Sequence, residues 1–110
     1  MKILNEKISL NDLPLNWFSM PIGLQIYNIG SEVGRAIKWK NAANYQRQLN
    51  FAIKAIELIG LTKMDPKNAR RFDELNFYQQ ELIDYLFGEN MYENTDESVM
   101  KIYNQWEHVV

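Results

Sequence analysis

From residue 21 onward, apolar side chains recur at steps of three and four, the spacing that lines one face of an α-helix. Ile22, Ile26, Ile29, Val33 and Ile37 form the first such stripe, and the pattern predicts a helix over about 21–41. Pro21 suits its first turn, where no backbone donor is needed. Leu49, Ala52, Ile53, Ile56 and Ile59 form a second stripe, widened by Phe51, Ala55 and Leu58, over about 45–59. Asn44 is placed to cap this second helix, and Gly60 to close it in the left-handed conformation. A capping carboxylate followed by a ring, Asp65–Pro66, opens a third helix over about 66–87 that buries Phe72, Leu75, Tyr78, Leu82, Ile83 and Leu86 and stops at Gly88. Asn94 or Thr95 then caps a fourth, about 96–107, carrying Val99, Tyr103 and Trp106, with Glu97 favouring its first turn.

Four helices with short turns and no alternating strand pattern predict an all-α fold, an antiparallel four-helix bundle of up-down-up-down order over residues 21–110. Residues 1–20 hold Ile3, Leu4, Ile8, Leu10, Leu13, Leu15, Pro14 and Trp17 without helical spacing, and read as an N-terminal arm packed on the bundle. A chain of 110 residues suffices for one core.

The first helix carries three glycines. Gly23, Gly30 and Gly34 each cost roughly 1 kcal/mol relative to alanine in a helix interior. Close approach by another helix would offset that cost, since a side-chain-free stripe lets two backbones draw together. Tyr27 lies on the neighbouring stripe, and Trp39 stands among Lys38 and Lys40 as an interface anchor. These five positions, Gly23, Tyr27, Gly30, Gly34 and Trp39, define the expected interface of a homodimer or of a complex with another protein.

Composition removes whole classes of chemistry. With no cysteine, disulfides and thiolate chemistry are excluded, and with one histidine, His108, so is a His-rich metal site. No apolar run approaches the 18 or so residues that span a bilayer and residues 1–15 lack a signal-peptide core, so no membrane partner and a cytoplasmic location are expected. Net charge is only −2, yet residues 1–34, 35–71 and 72–110 carry about −1, +7 and −8. In the bundle order above, Lys38, Lys40 and Arg47 share a pole with Asp84, Glu89, Glu93, Asp96 and Glu97. Lys63, Lys67, Arg70 and Arg71 gather at the other pole, the best positions for meeting a polyanion such as nucleic acid.

Glu81 and Asp84, three apart in ELIDYLF, can converge on one ion, and this segment resembles half of the signature of the all-α nucleoside triphosphate pyrophosphatases. The resemblance implies Mg²⁺ held against a triphosphate by two acidic pairs on adjacent helices, with Glu32 in SEVGRAI as the counterpart. Arg35 stands where the second member of that pair belongs. Ile29-Gly30 with AIKAIEL loosely resembles a tetratricopeptide repeat, but with longer spacing and no second copy. The reading is therefore a small non-enzymatic interaction module without a cofactor. The alternatives are a metal-dependent nucleotide hydrolase using Glu32, Glu81 and Asp84, and a nucleic-acid-binding bundle using the basic 63–71 cluster.

Overall fold

The computed structural model describes residues 17–106 and is an all-α, antiparallel four-helix bundle. The expected arm lies largely outside the described residues, as does His108. Its last residues form a 3-10 turn, Trp17–Ser19, with Trp17 buried. The helices are α1 (Ile22–Asn41), α2 (Tyr45–Met64), α3 (Phe72–Phe87) and α4 (Asp96–Asn104), with a 3-10 segment, Pro66–Arg71, between α2 and α3. Among the described residues no helix is long and apolar enough to cross a membrane.

The stops are local. Ala43, at φ 56°, reverses the chain after α1, and the Asn44 side chain accepts the Arg47 N–H at 3.1 Å to start α2. Thr95 and Ser98 open α4 with a reciprocal pair of hydrogen bonds, so the residue closing the capping box is Ser98, not an acid. Asp65, in extended conformation with ψ 121°, ends α2, because the proline after it disfavours helical backbone.

Three boundaries differ from expectation: α4 stops at Asn104, short of the expected 107, and the other two lie around α2 and α3. Gly60 does not terminate α2: the helix runs five residues beyond the expected Ile59, to Met64, and no described glycine has positive φ. Thr62 is fully buried, its hydroxyl donating to the Leu58 carbonyl at 2.7 Å, so the buried face continues past the glycine. Gly60 serves a contact instead, since a Cβ there would lie 3.3 Å from the Gln79 amide nitrogen, which donates to the Ile56 carbonyl. The third helix is also not continuous from Pro66. Its first six residues wind as 3-10 helix, turning Asn68 into the interior, and regular helix begins at Phe72.

In packing order the helices run α3, α2, α1, α4, with α1 central and packed along both α2 and α4. Ile26, Ile29, Val33, Ala36 and Ile37 of α1 meet Ala52, Ala55, Leu58 and Ile59 of α2, Leu75, Tyr78, Leu82 and Leu86 of α3, and Val99, Tyr103 and Trp106 beside α4 in one core. α3 joins α4 through side chains: the Tyr78 and Tyr103 rings meet edge-on at 6.1 Å, and the Trp106 indole N–H donates to the Tyr78 hydroxyl at 3.2 Å. Because the backbone of α3 packs chiefly along α2 and sits at one end of the packing order, part of its apolar surface is uncovered. Phe72 and Ile83, expected in the core, are 44% and 41% exposed. The expected stripe on α2 is rotated too, with Ala52, Ala55 and Ile59 inside while Leu49 and Ile53 are only half-buried.

Candidate interaction surfaces

Each pole of the bundle is closed by a polar cluster, and both clusters direct their chemistry inward. At the α1–α2 turn, Lys40 donates to Asp96 at 2.7 Å and to the Tyr85 hydroxyl at 3.0 Å, with its ammonium over the Tyr85 ring at 4.7 Å. Tyr85 also bonds Asp96, and the Asn41 amide donates to the other carboxylate oxygen at 2.9 Å. Burial pushes the Asp96 carboxyl up, but the hydrogen bonds from Lys40, Tyr85 and Asn41 outweigh it and hold the group at about 2. Burial pushes the Tyr85 phenol up, and the neighbouring Asp96 carboxylate reinforces that rise. The expected meeting of basic and acidic ends thus occurs at Lys40 and Asp96, a contact that ties three helices together.

At the far pole the fully buried Gln25 is the hub. Its amide donates to the Trp17 carbonyl at 2.9 Å and to Asp65 at 3.0 Å, and its oxygen accepts from Asn68 at 2.9 Å. Asn68 also donates to the Thr62 carbonyl, while Lys67 pairs with Asp65 and reaches the Phe18 carbonyl. Burial pushes Asp65 up, yet hydrogen bonds from Lys67 and Gln25 bring it below the usual carboxylate range. Sequence reasoning missed Gln25 and Asn68. The signal available for Gln25 was a polar residue interrupting the buried side of α1 beside Ile26.

The expected metal ligands are not brought together. Glu32 is buried and pairs with Arg35 at 3.1 Å and Lys54 at 3.6 Å, leaving one carboxylate oxygen without a partner. Asp84 accepts the backbone N–H groups of Met91 at 2.9 Å and Tyr92 at 3.2 Å, and Glu81 accepts from the Asn94 amide at 3.1 Å. Among the described residues no group of three or more histidines and carboxylates could hold a metal ion. The nucleotide hydrolase reading therefore loses its Mg²⁺ cage: one intended ligand is neutralised by cations and another is committed to a loop.

The glycine stripe meets this chain's own fourth helix. A Cβ on Gly30 would lie 2.8 Å from the Tyr103 Cβ, and one on Gly34 3.7 Å from Met100 Cε. Gly23 is buried, Tyr27 is exposed, and Trp39 is half-buried with Arg47 at 4.7 Å and Lys38 at 5.3 Å from its ring. Of the basic cluster, Lys63 donates to Asn76 and Gln79 and lies over the Phe72 ring, Lys67 pairs with Asp65, and Arg71 pairs with Glu74 and covers Trp106. Arg70 is exposed and has no ion pair among the described residues. An open groove of about 500 Å³ along α2, lined by Gln46, Arg47, Asn50, Phe51 and Lys54, has its cations engaged in the same way, by Trp39 and Glu32.

The surface also carries exposed apolar side chains. Leu49 and Ile53 of α2 lie on the same stripe as Ile56 and Gly60, which face α3. Across from them α3 exposes Phe72, Ile83 and Phe87. On the next stripe of α3, Phe77 is 44% exposed and meets Tyr92 of the α3–α4 loop edge-on at 5.3 Å, beside Met91 at 80% exposure. Fold and surface together define a small all-α bundle with internally hydrogen-bonded polar clusters at its poles, one buried indole N–H at Trp17 and one Glu32 oxygen left without a partner, and exposed apolar side chains on α3 and the loop after it. No protein-family model matches the chain, and no curated protein or solved structure is significantly similar to it.

Proposed function

We propose that this chain is a non-enzymatic interaction module that associates with a second copy of itself through the outer face of α2 and α3. The observation that carries the reading is the row of exposed apolar side chains on α3, Phe72, Ile83 and Phe87, beside the half-buried Leu49 and Ile53 of α2. Asn76 and Gln80 are its polar members on α3, and the cation beside it, Lys63, is already held by Asn76 and Gln79. A two-fold interface sets a surface against itself, so any charge near the axis meets its own copy; a largely apolar strip suits that symmetry, with Lys63 at its Phe72 end and Glu57 one turn from Ile53 as the charges at its margin. The glycine stripe of α1 is not the contact in this reading, because α4 already occupies it at Gly30 and Gly34.

Light scattering on the intact protein at tens of micromolar, where an apolar interface of modest size is populated, is expected to give the mass of two chains. The double variant Ile83→Lys/Phe87→Lys is expected to give the mass of one chain with unchanged helical circular dichroism. A one-chain mass for the unaltered protein over the whole concentration range would refute self-association.

A further inference from the structure

We infer that the Phe77–Met91–Tyr92 knob is a second docking site, specific for a cationic amphipathic segment of another protein. The knob differs from the α2–α3 strip in both shape and charge. Three apolar side chains stand out from α3 and the following loop, and the two rings brace each other edge-on. Aromatic residues and methionine are enriched at protein interfaces, the rings bringing much contact area at little cost in side-chain freedom and the flexible thioether adapting to the partner's shape.

The loop that presents them is held in place by its own polar groups. The Asp84 carboxylate takes the amides of Met91 and Tyr92, one on each oxygen. Asn90 donates to the Asn94 carbonyl at 2.8 Å and accepts the Asn94 N–H at 2.8 Å. Asn90 and Glu93, on either side of Met91 and Tyr92, are both fixed at φ 55°. A partner therefore meets a preformed surface and does not bear the entropy of ordering it.

Charge selects the partner. From Phe72 to Met100 the chain has eight carboxylates and no lysine or arginine. Asp73 and Glu81 lie one turn to either side of Phe77 on α3, Asp84 lies two turns on, and Glu89 and Glu93 flank Met91 and Tyr92 in the loop. The five ion pairs among the described residues use Glu32, Asp65, Glu74 and Asp96, so the acids around the knob have no cation of their own. An apolar centre within an anionic rim complements a helix with apolar residues at i, i+3, i+4 and i+7 and lysine or arginine between them. A second copy of this chain is a poor match: of its basic pole, Lys63, Lys67 and Arg71 are held within the chain, and Arg70, without an ion pair among the described residues, stands on a 3-10 segment and not on an amphipathic helix.

The test titrates the intact protein into a fluorescent synthetic peptide of about 14 leucines and lysines patterned as an amphipathic helix, with a leucine–glutamate peptide as control. The lysine peptide is expected to bind and to weaken as salt rises, while the glutamate peptide does not bind. Phe77→Ala/Tyr92→Ala is expected to weaken binding about tenfold or more, equivalent to about 1.4 kcal/mol. Glu89→Gln/Glu93→Gln is expected to flatten the salt dependence. All four side chains are exposed, so both variants keep the fold, and circular dichroism checks this. Failure of the lysine peptide to bind, or binding that the aromatic variant leaves unchanged, would overturn the inference. So would loss of binding in the charge-neutral variant Ile83→Gln/Phe87→Gln, which would move the peptide to the other face. Self-association of the unaltered protein is read separately, so neither proposal can fail in place of the other.

Discussion

Alanine substitutions at Gly30 and Gly34, four residues apart on one helix, are expected to have opposite effects on stability. Each replacement gains roughly 1 kcal/mol of helix propensity. At Gly34 the new methyl group meets only the end of a flexible side chain, Met100 Cε, at an ordinary contact distance of 3.7 Å, so the gain stands. At Gly30 it would sit 2.8 Å from the Tyr103 Cβ and 3.6 Å from its Cγ. Carbon atoms rest at about 3.5–4.0 Å, so α4 must retreat by roughly 0.7–1.2 Å. No rotamer change can move a Cβ, and a retreat loosens Val99, Tyr103 and Trp106 together, all buried. Overpacking of this kind costs about 1–3 kcal/mol, and the rigidity of the site puts the cost at about 2–3. The net expectation is a loss of about 1–2 kcal/mol for Gly30→Ala against a gain of up to about 1 kcal/mol for Gly34→Ala. For a domain of this size each kcal/mol moves the melting temperature by about 4–8 °C. Urea and thermal unfolding followed by circular dichroism would separate the pair clearly. A Gly30→Ala protein as stable as Gly34→Ala would refute the close α1–α4 crossing.

Two further expectations concern the polar clusters at the poles. The Asp96 carboxyl is held at about 2, below its ordinary 3.8, so it contributes stability that is fully present above about pH 4 and is lost as pH falls toward 2. At 1.36 kcal/mol per pKa unit the shift converts to about 2.4 kcal/mol, reduced by solvent screening to about 1 because the side chain is 35% exposed. The stability difference between the unaltered protein and Asp96→Asn is therefore expected to be largest near neutral pH and to shrink toward pH 2 in urea titrations; a pH-independent difference would contradict the role given to Lys40. Gln25→Glu, nearly isosteric, sets a second carboxylate against Asp65 and takes donors from the Trp17 carbonyl and Asp65. It is expected to cost more than about 2 kcal/mol near neutral pH and to recover partly on acidification, and a neutral substitution would deny the hub at Gln25.

The helices and their ends were legible because the interactions that set them are close in sequence. The 3.6-residue stripe of α1, the Asn44 and Thr95 caps and the boundary at Asp65–Pro66, expected as the opening of the third helix, each depend on side chains within a few residues of one another. Gly60 misled for the complementary reason. Local chemistry allows a glycine to end a helix, but whether it does depends on the face beyond it, and here Thr62 is buried while Gln79 needs room at Gly60. Phe72 and Ile83 carry the right spacing for the core, yet spacing cannot say that α3 would stand at the edge of the bundle. The same holds for Glu81 and Asp84. Their separation suits a shared ion, while the fold gives one to the Asn94 amide and the other to the amides of Met91 and Tyr92.

By itself the sequence determined an all-α chain, the number of its helices, their antiparallel order and the pole at which Lys40 meets Asp96, because short connections leave few ways to pack amphipathic helices. Only the tertiary structure decided that the glycine groove of α1 is filled by Tyr103 of the same chain, that Gln25 and Asn68 close the far pole, and that Phe77, Ile83, Phe87, Met91 and Tyr92 stay outside. Those outcomes turn on which residues, distant along the chain, are brought within a few ångströms, and helix crossings set that where periodicity along one helix does not.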